Sequence, residues 1–274
     1  MRALRLLAVL AHPDDETLGV GGTLAKYAAE GCTVSLLTAT RGGGGRYLAF
    51  PPGHQEHPGA LALGTIREAE LRKAAAELGV GDVTVLDYPD KHVDRAEPHH
   101  AIAAIAGHLR RVRPDVVITF GPDGAYGHPD HIAISQLTSA AIVTAADPMF
   151  ASGGENGDRP HAVAKLYYIA WPQSTWSAYE SALKRLTSVV DGVERQTVPW
   201  PDWAITTRID TRSYWPTVWR AVCCHQSQMA AYEKLSQLSP ELHEALWGSQ
   251  SFYRVFSTAN GGRKAETDLF EGIR

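Results

Sequence analysis

Leu4-Arg5-Leu6-Leu7-Ala8-Val9-Leu10-Ala11-His12-Pro13-Asp14-Asp15-Glu16 is the stretch that decides how this chain is read. A mostly apolar run over residues 4–11 stops abruptly in one imidazole, one proline and three acids. The run reads as a buried parallel strand, because strands covered on both faces are almost continuously aliphatic instead of alternating. The acidic segment after it makes a poor structural turn. Carboxylates crowded at the mouth of an apolar core repel one another and resist desolvation. A bound cation relieves both costs, and histidine with aspartate at short spacing suits a zinc-like divalent metal.

Outward from this stretch, helical and apolar segments alternate. Residues 17–30 read as a helix with a glycine-softened start, closed by Gly31. Thr33–Thr40 is β-rich and mostly apolar, so it reads as a second buried strand. Thr65 with Glu68 has the pattern of a capping box opening a helix that Gly79 closes. Residues 83–86 follow as a third strand, 101–112 as a helix and Val116–Phe120 as a fourth strand. A helix begins near Pro129, residues 145–160 form a Gly/Asp/Pro-rich connection, and residues 163–170 make a fifth strand. This order forces right-handed crossovers and a parallel sheet covered on both faces. The expected fold is therefore α/β: a Rossmann-like, mainly parallel sheet with helices on both faces and a C-terminal α+β extension. We expect one domain over residues 1–274, with a core over 1–170 and the extension, 171–274, packed on it. Residues 213–234 look mainly helical, a short helix starts at Ser239-Pro240, and residues 252–256 read as a late strand.

Composition narrows the function. Of 274 residues, 44% are hydrophobic and 20% charged, ordinary for a globular chain with a substantial core. A formal charge of -4 leaves no basic footprint for nucleic acid or an anionic membrane. Cys32, Cys223 and Cys224 form no disulfide framework, which favours a reducing compartment. The basic and apolar N-terminus imitates a signal peptide, but the apolar run is short and leads directly into His12. We expect a cytoplasmic protein with no membrane insertion. All seven tryptophans lie at or beyond Trp171, and their apolar area favours a packed layer over a sugar-stacking platform.

In an open parallel sheet, ligands collect outside the carboxyl ends of the strands. The acids and histidines of this chain follow its first, third and fourth strands. His12-x-x-Asp15 and His128-x-x-His131 each stand at a strand-to-helix junction. One carboxylate and two imidazoles from these clusters make an open three-ligand zinc site with a position left for water. Asp14 and Asp15 are neighbours in a turn, so one can hold metal while the other faces the water as general base. His128 and His131 can divide in the same way, and Asp130 is placed to hydrogen-bond an imidazole.

Ala11-His12-Pro13-Asp14-Asp15-Glu16 and Gly127-His128-Pro129-Asp130-His131 together resemble the paired signatures of the PIG-L/LmbE-like zinc deacetylases. That family includes N-acetylglucosaminyl-phosphatidylinositol deacetylase and the deacetylases of mycothiol and bacillithiol synthesis. The resemblance covers residues 4–145 and returns weakly at His225-Gln226-Ser227-Gln228, similar to a late HxSQ element. It implies that His12, Asp15 and His131 bind Zn2+, one per chain, with Fe2+ as an alternative. It implies Asp14 as general base, His128 as the group that stabilises the oxyanion or acts as an acid, and Asp130 as the residue that tunes it. Tyr126 matches a mobile tyrosine that polarises the carbonyl. Arg67, Asp90 and Arg41 are candidate substrate contacts, although Arg67 equally suits a helix-surface cation and Asp90 a turn former.

The chain departs from that pattern in three places. Arg41 and the glycines Gly42 to Gly45 stand where an acid often accompanies the glycines. They lack the spacing of a phosphate-binding loop and read as a flexible strand-end loop. Residues 46–64 read as an insertion or lid, and the tryptophan-rich tail is this chain's own. The expected activity is hydrolysis of an N-acyl, most simply N-acetyl, amide on a small amino sugar or glycoside, by a chain that can form a homo-oligomer. A metal-dependent amidase or phosphoesterase of another substrate, and a non-catalytic sugar- or metal-binding module, are the alternatives.

Overall fold

The computed structural model of the chain describes residues 3–150, 159–182, 187–190, 192–196 and 198–274; part of the 145–160 connection lies outside them. The elements in chain order are β1 (Arg5–Leu10), α1 (Asp15–Leu18), α2 (Gly21–Ala29), β2 (Thr33–Thr40), α3 (Ala60–Glu77), β3 (Asp82–Tyr88), α4 (Pro98–Val112) and β4 (Val116–Phe120). Next come a distorted turn, α5 (Gly124–Gly127), then α6 (Pro129–Ala146), β5 (Lys165–Ile169), α7 (Gln173–Ala182) and a small hairpin, β6 (Ser188–Val190) with β7 (Val193–Arg195). The chain closes with β8 (Thr207–Asp210), α8 (Trp215–Val222), α9 (Glu233–Ser236), α10 (Pro240–Trp247) and β9 (Ser249–Ser257).

Seven strands form one sheet in the order β3-β2-β1-β4-β5-β9-β8. The first five are parallel, while β9 runs antiparallel to β5 and β8 antiparallel to β9. Helix α4 packs on α6, and α8 packs on α2 and α3. The β1 strand is buried from Leu6 onward, as its aliphatic run requires. Successive crossovers carry the chain from β1 outward to β3 and then back across to β4, which pairs with the other edge of β1. The sheet therefore reverses its strand order between β1 and β4, and that reversal opens a crevice at their carboxyl ends.

The expected architecture is present, with local differences. Helix α3 starts at Ala60, five residues before Thr65, because Gly59 takes φ 90 and turns the chain into the helix early. The Thr65 hydroxyl consequently bonds the Leu61 carbonyl inside the helix instead of capping it. The expected helix over 17–30 is two helices, α1 and α2, broken at Gly19-Val20. The stretch 213–234 is broken by 3-10 turns at Arg212–Tyr214 and Gln226–Gln228. Strand β8 was not expected, being a four-residue edge strand with only two buried side chains. The buried Glu266 carboxylate ties the added strands to the core, meeting Lys165 Nζ at 2.7 Å, the Tyr167 hydroxyl at 2.8 Å and the Thr207 hydroxyl at 3.1 Å.

Candidate metal centre

The turn after β1 and the start of α6 converge in the crevice. Asp15 Oδ2 accepts the backbone N–H groups of Ala11 (3.2 Å) and His12 (2.7 Å). Its other oxygen, Oδ1, lies 3.4 Å from His131 Nε2. His131 Nδ1 is 3.2 Å from the Gly124 carbonyl, which can only accept, so Nδ1 carries the proton and Nε2 presents a lone pair. His12 Nε2 faces Asp130 Oδ2 at 3.0 Å and Asp90 Oδ1 at 3.2 Å, and the same reasoning leaves Nδ1 as a lone pair. His12 Nδ1 lies 3.2 Å from His131 Nε2 and 3.6 Å from Asp15 Oδ2.

The two imidazole nitrogens thus stand 3.2 Å apart, and the Asp15 carboxylate meets one through Oδ1 and the other through Oδ2, near the spacing a small ion requires. Ligands at 2.0–2.1 Å from a tetrahedral ion stand about 3.3–3.4 Å apart. The donor set therefore fits a divalent metal. Its electrostatics agree: burial opposes positive charge at His12, yet Asp130, Asp90 and Asp15 favour it and raise the imidazole well above its ordinary value, and a cation bound at Nδ1 supplies that charge in place of a second ring proton. Burial likewise opposes ionisation of Asp15, but His131 and His12 hold it well below the usual carboxylate range. Phe120 stacks on His131, with ring centroids 3.9 Å apart and planes at 9°, and fixes that ring.

His12, His128 and His131 also offer three nitrogens within 4.8 Å of one another. Among the described residues, Asp15 Oδ1 meets no polar side chain other than His131 Nε2, at a separation that matches a tetrahedral edge. His128 Nδ1 accepts the Asp130 N–H at 3.2 Å, which makes Nε2 the protonated nitrogen. Burial, with the neighbouring His131 and His12, pushes His128 well below its ordinary value, so it stands as a neutral N–H donor.

Asp14 projects beside the centre from a backbone at φ 104. Its Oδ2 accepts from Arg67 Nη2 at 3.0 Å and from the Tyr232 hydroxyl at 2.5 Å. Arg67 is 4% exposed, so it is no helix-surface cation. Its Nη1 donates to the Gly42 carbonyl at 2.7 Å, and a side chain at Gly42 (φ 68) would collide with the guanidinium. Gly44 N donates to Asp90 Oδ2 at 2.8 Å. The glycine loop is a cradle for Arg67 and Asp90, which is why it must lack side chains. Arg41 turns away from the cavity, pairing with Glu68 and with Asp87 at 2.8 Å.

The Asp130 carboxylate serves His12 and the N–H groups of Lys91 (2.7 Å) and Val93 (3.0 Å), and only its backbone meets His128. Tyr126 follows Ala125, held at φ 64 and ψ -63, and burial pushes its phenol well up, so it keeps its proton. Glu16 is buried and pairs with His225 Nε2 at 2.7 Å. Both turns line a cavity of about 590 Å³, whose wall also includes Arg46, Leu48, Trp171, Tyr179 and Tyr232.

Trp176 and Trp247 pack in a second apolar cluster with Val218, Val222 and Leu246, as their area suggested. Trp171 instead stacks on Tyr179, centroids 4.7 Å apart, in the cavity wall, and Trp203 is 88% exposed. Tyr232 and the Glu16–His225 pair are the site features that sequence reasoning missed. The late His225-Gln226-Ser227-Gln228 element is a signal for the second; nothing local marks Tyr232. Among the described residues, no helix is long and apolar enough to cross a membrane.

The chain matches the family model described as PIG-L, GlcNAc-PI de-N-acetylase, over residues 7–142, which contains both turns. It is 36% identical over 298 residues to the 1D-myo-inositol 2-acetamido-2-deoxy-alpha-D-glucopyranoside deacetylase of Rhodococcus opacus (strain B4), covering 100% of this chain and 99% of that one. Among solved structures it is similar to the conserved protein TT1542 of Thermus thermophilus, with TM-score 0.65 and 26% identity over 94% of this chain and 97% of the other. The same fold, with TM-score 0.65 at 20% identity and covering 94% and 99% of the two chains, carries GalB, the 4-carboxy-2-hydroxymuconate hydratase of Pseudomonas putida KT2440. The fold alone therefore does not name the reaction. The motif-bearing match and the full-length relationship do: this chain belongs to the PIG-L family of GlcNAc-PI de-N-acetylases and is a metal-dependent, amide-hydrolysing deacetylase.

Proposed function

We propose that this chain is a zinc-dependent de-N-acetylase of a 2-acetamido-2-deoxy-glucopyranoside, releasing the free amine and acetate. One observation supports the reading: His12 Nδ1, His131 Nε2 and the Asp15 carboxylate gather within contacts of 3.6 Å beside a second carboxylate, Asp14, that has one oxygen without a donor among the described residues. His12, Asp15 and His131 would hold the ion, which supplies Lewis acidity toward the amide carbonyl and toward water. Asp14 accepts the proton from the attacking water at Oδ1. His128 Nε2–H donates to the carbonyl oxygen as it gains charge, with the Tyr126 hydroxyl as a second donor. The C–N bond then breaks, the proton passes from Asp14 to the departing nitrogen, and the new carboxylate leaves. Asp130 and Asp90 hold His12 in the tautomer that leaves Nδ1 bare.

Arg67 is committed to Asp14 and the glycine loop, so we assign it to positioning and not to a substrate hydroxyl. The substrate class is supported by the relationship to the Rhodococcus deacetylase and by a cavity of about 590 Å³, the size of small-molecule sites in general. Purified protein of measured metal content should release amine from a 2-acetamido-2-deoxy-glucopyranosyl inositol. It should leave nitrophenyl phosphate intact and contain about one zinc per chain. Phosphate release, or glycoside untouched by metal-replete protein, sinks the assignment.

A further inference from the structure

We propose that Tyr232 is a positioning residue that locks one oxygen of Asp14 and so turns the other toward the reacting water. This rests on the reading of Asp14 as general base. The Tyr232 hydroxyl and Arg67 Nη2 both donate to Oδ2, at 2.5 and 3.0 Å, and no described residue donates to Oδ1. A carboxylate divided in this way has one oxygen saturated and one ready to take a proton. The backbone adds a reason for the lock. Asp14 sits at φ 104, a region that side-chain-bearing residues rarely adopt, and such a conformation persists only when its surroundings over-determine it. Two donors on one oxygen are such surroundings.

Tyr232 is suited to donate. Its burial, with the Asp14 charge beside it, raises its phenol well above the ordinary range, so it keeps its proton. Its place is set by the segment that leads to it. His225 pairs with Glu16 at 2.7 Å, and Ser227 N and Oγ donate to Glu70 at 2.7 and 2.6 Å. Gln228 Nε2 donates to the Arg46 carbonyl at 2.8 Å, and the Ser227 carbonyl accepts from Leu48 N at 2.6 Å. The segment is thus pinned to the acid turn, to α3 and to the loop before α3, and it delivers the hydroxyl to a carboxylate 218 positions away.

The test is Tyr232→Phe, alone and combined with Asp14→Asn, with metal content and melting temperature measured on each variant. The single variant should keep its metal and its fold, hold KM within about 2-fold and lose about 10- to 100-fold in kcat, the effect of one hydrogen bond to a charged group. In the Asp14→Asn background the same change should cost nothing further, since there is no longer a base to position. Wild-type kcat in Tyr232→Phe beside an inactive Asp14→Asn overturns this proposal alone. An equal loss in both backgrounds, or a raised KM at unchanged kcat, shows that Tyr232 contacts substrate and also overturns it. Full turnover by Asp14→Asn overturns the assignment of the base itself. Should Asp14→Asn be too slow to follow, the split between kcat and KM in the single variant decides.

Discussion

His12-Pro13-Asp14-Asp15 and His128-Pro129-Asp130-His131 differ in one residue of four, yet corresponding positions serve different atoms. In the first turn the leading histidine brings Nδ1 to the centre, and the third residue projects beside it from a backbone at φ 104. In the second, the leading histidine is the N-cap of an 18-residue helix with Pro129 in its first turn. His128 Nδ1 is spent on the Asp130 N–H, and the Asp130 carboxylate, wholly inaccessible, reaches across to His12. The difference lies in the backbone. A long helix holds Asp130 in regular geometry, whereas the four-residue α1 leaves Asp14 outside any regular conformation. Spelling supplies the donors; the local backbone allocates them.

That contrast can be broken most sharply at Asp14 and His131. Asp14→Asn should lower turnover by about 10²–10⁴-fold while keeping metal near wild type, because only a proton acceptor is lost. His131→Ala should silence the enzyme by a different route, and elemental analysis of the two purified variants separates them. Equal metal loss in both erases the division of labour. His128→Ala should fall between: metal retained and kcat reduced by about 10²–10³-fold, as for loss of one oxyanion donor. If His128→Ala loses metal as His131→Ala does, the second turn supplies two ligands and Asp15 is displaced from the set.

Asp130→Ala should act on the metal and not on the oxyanion, weakening affinity by about 10- to 100-fold in competition with a chromophoric chelator. Unchanged affinity with a lower kcat returns Asp130 to His128. The smallest effect expected is thermal. Stripping the ion from wild-type protein should lower the melting temperature by roughly 5–10 °C relative to metal held at about 100 times Kd. His128→Ala should show the same shift and His131→Ala none.

Much of the site was legible because its donors cluster in two short runs at strand ends. The two clusters needed only the parallel-sheet reading and the rule that ligands gather at carboxyl ends; singling out His12, Asp15 and His131 within them took the family resemblance. Arg67 was ambiguous because its helix also carries Arg72 and Lys73, and only packing shows that Arg67 is the one turned inward. The glycine loop looked slack because the guanidinium it encloses comes from 25 residues further on. The start of α3 was misplaced because a positive φ at Gly59 outweighs a capping pattern five residues later.

By itself the sequence determined the strand-helix alternation, the parallel sheet and the donors available at two turns. These depend on side-chain periodicity and on chemistry within a few residues, which the order of residues states directly. The pairing of β1 with β4 was decided only by the tertiary structure, and with it the meeting of His12 and His131 across 119 positions. So was the grip of Tyr232 on Asp14 across 218. Neither contact has a local signature, because each is set by strand order and by how a late segment closes over the crevice.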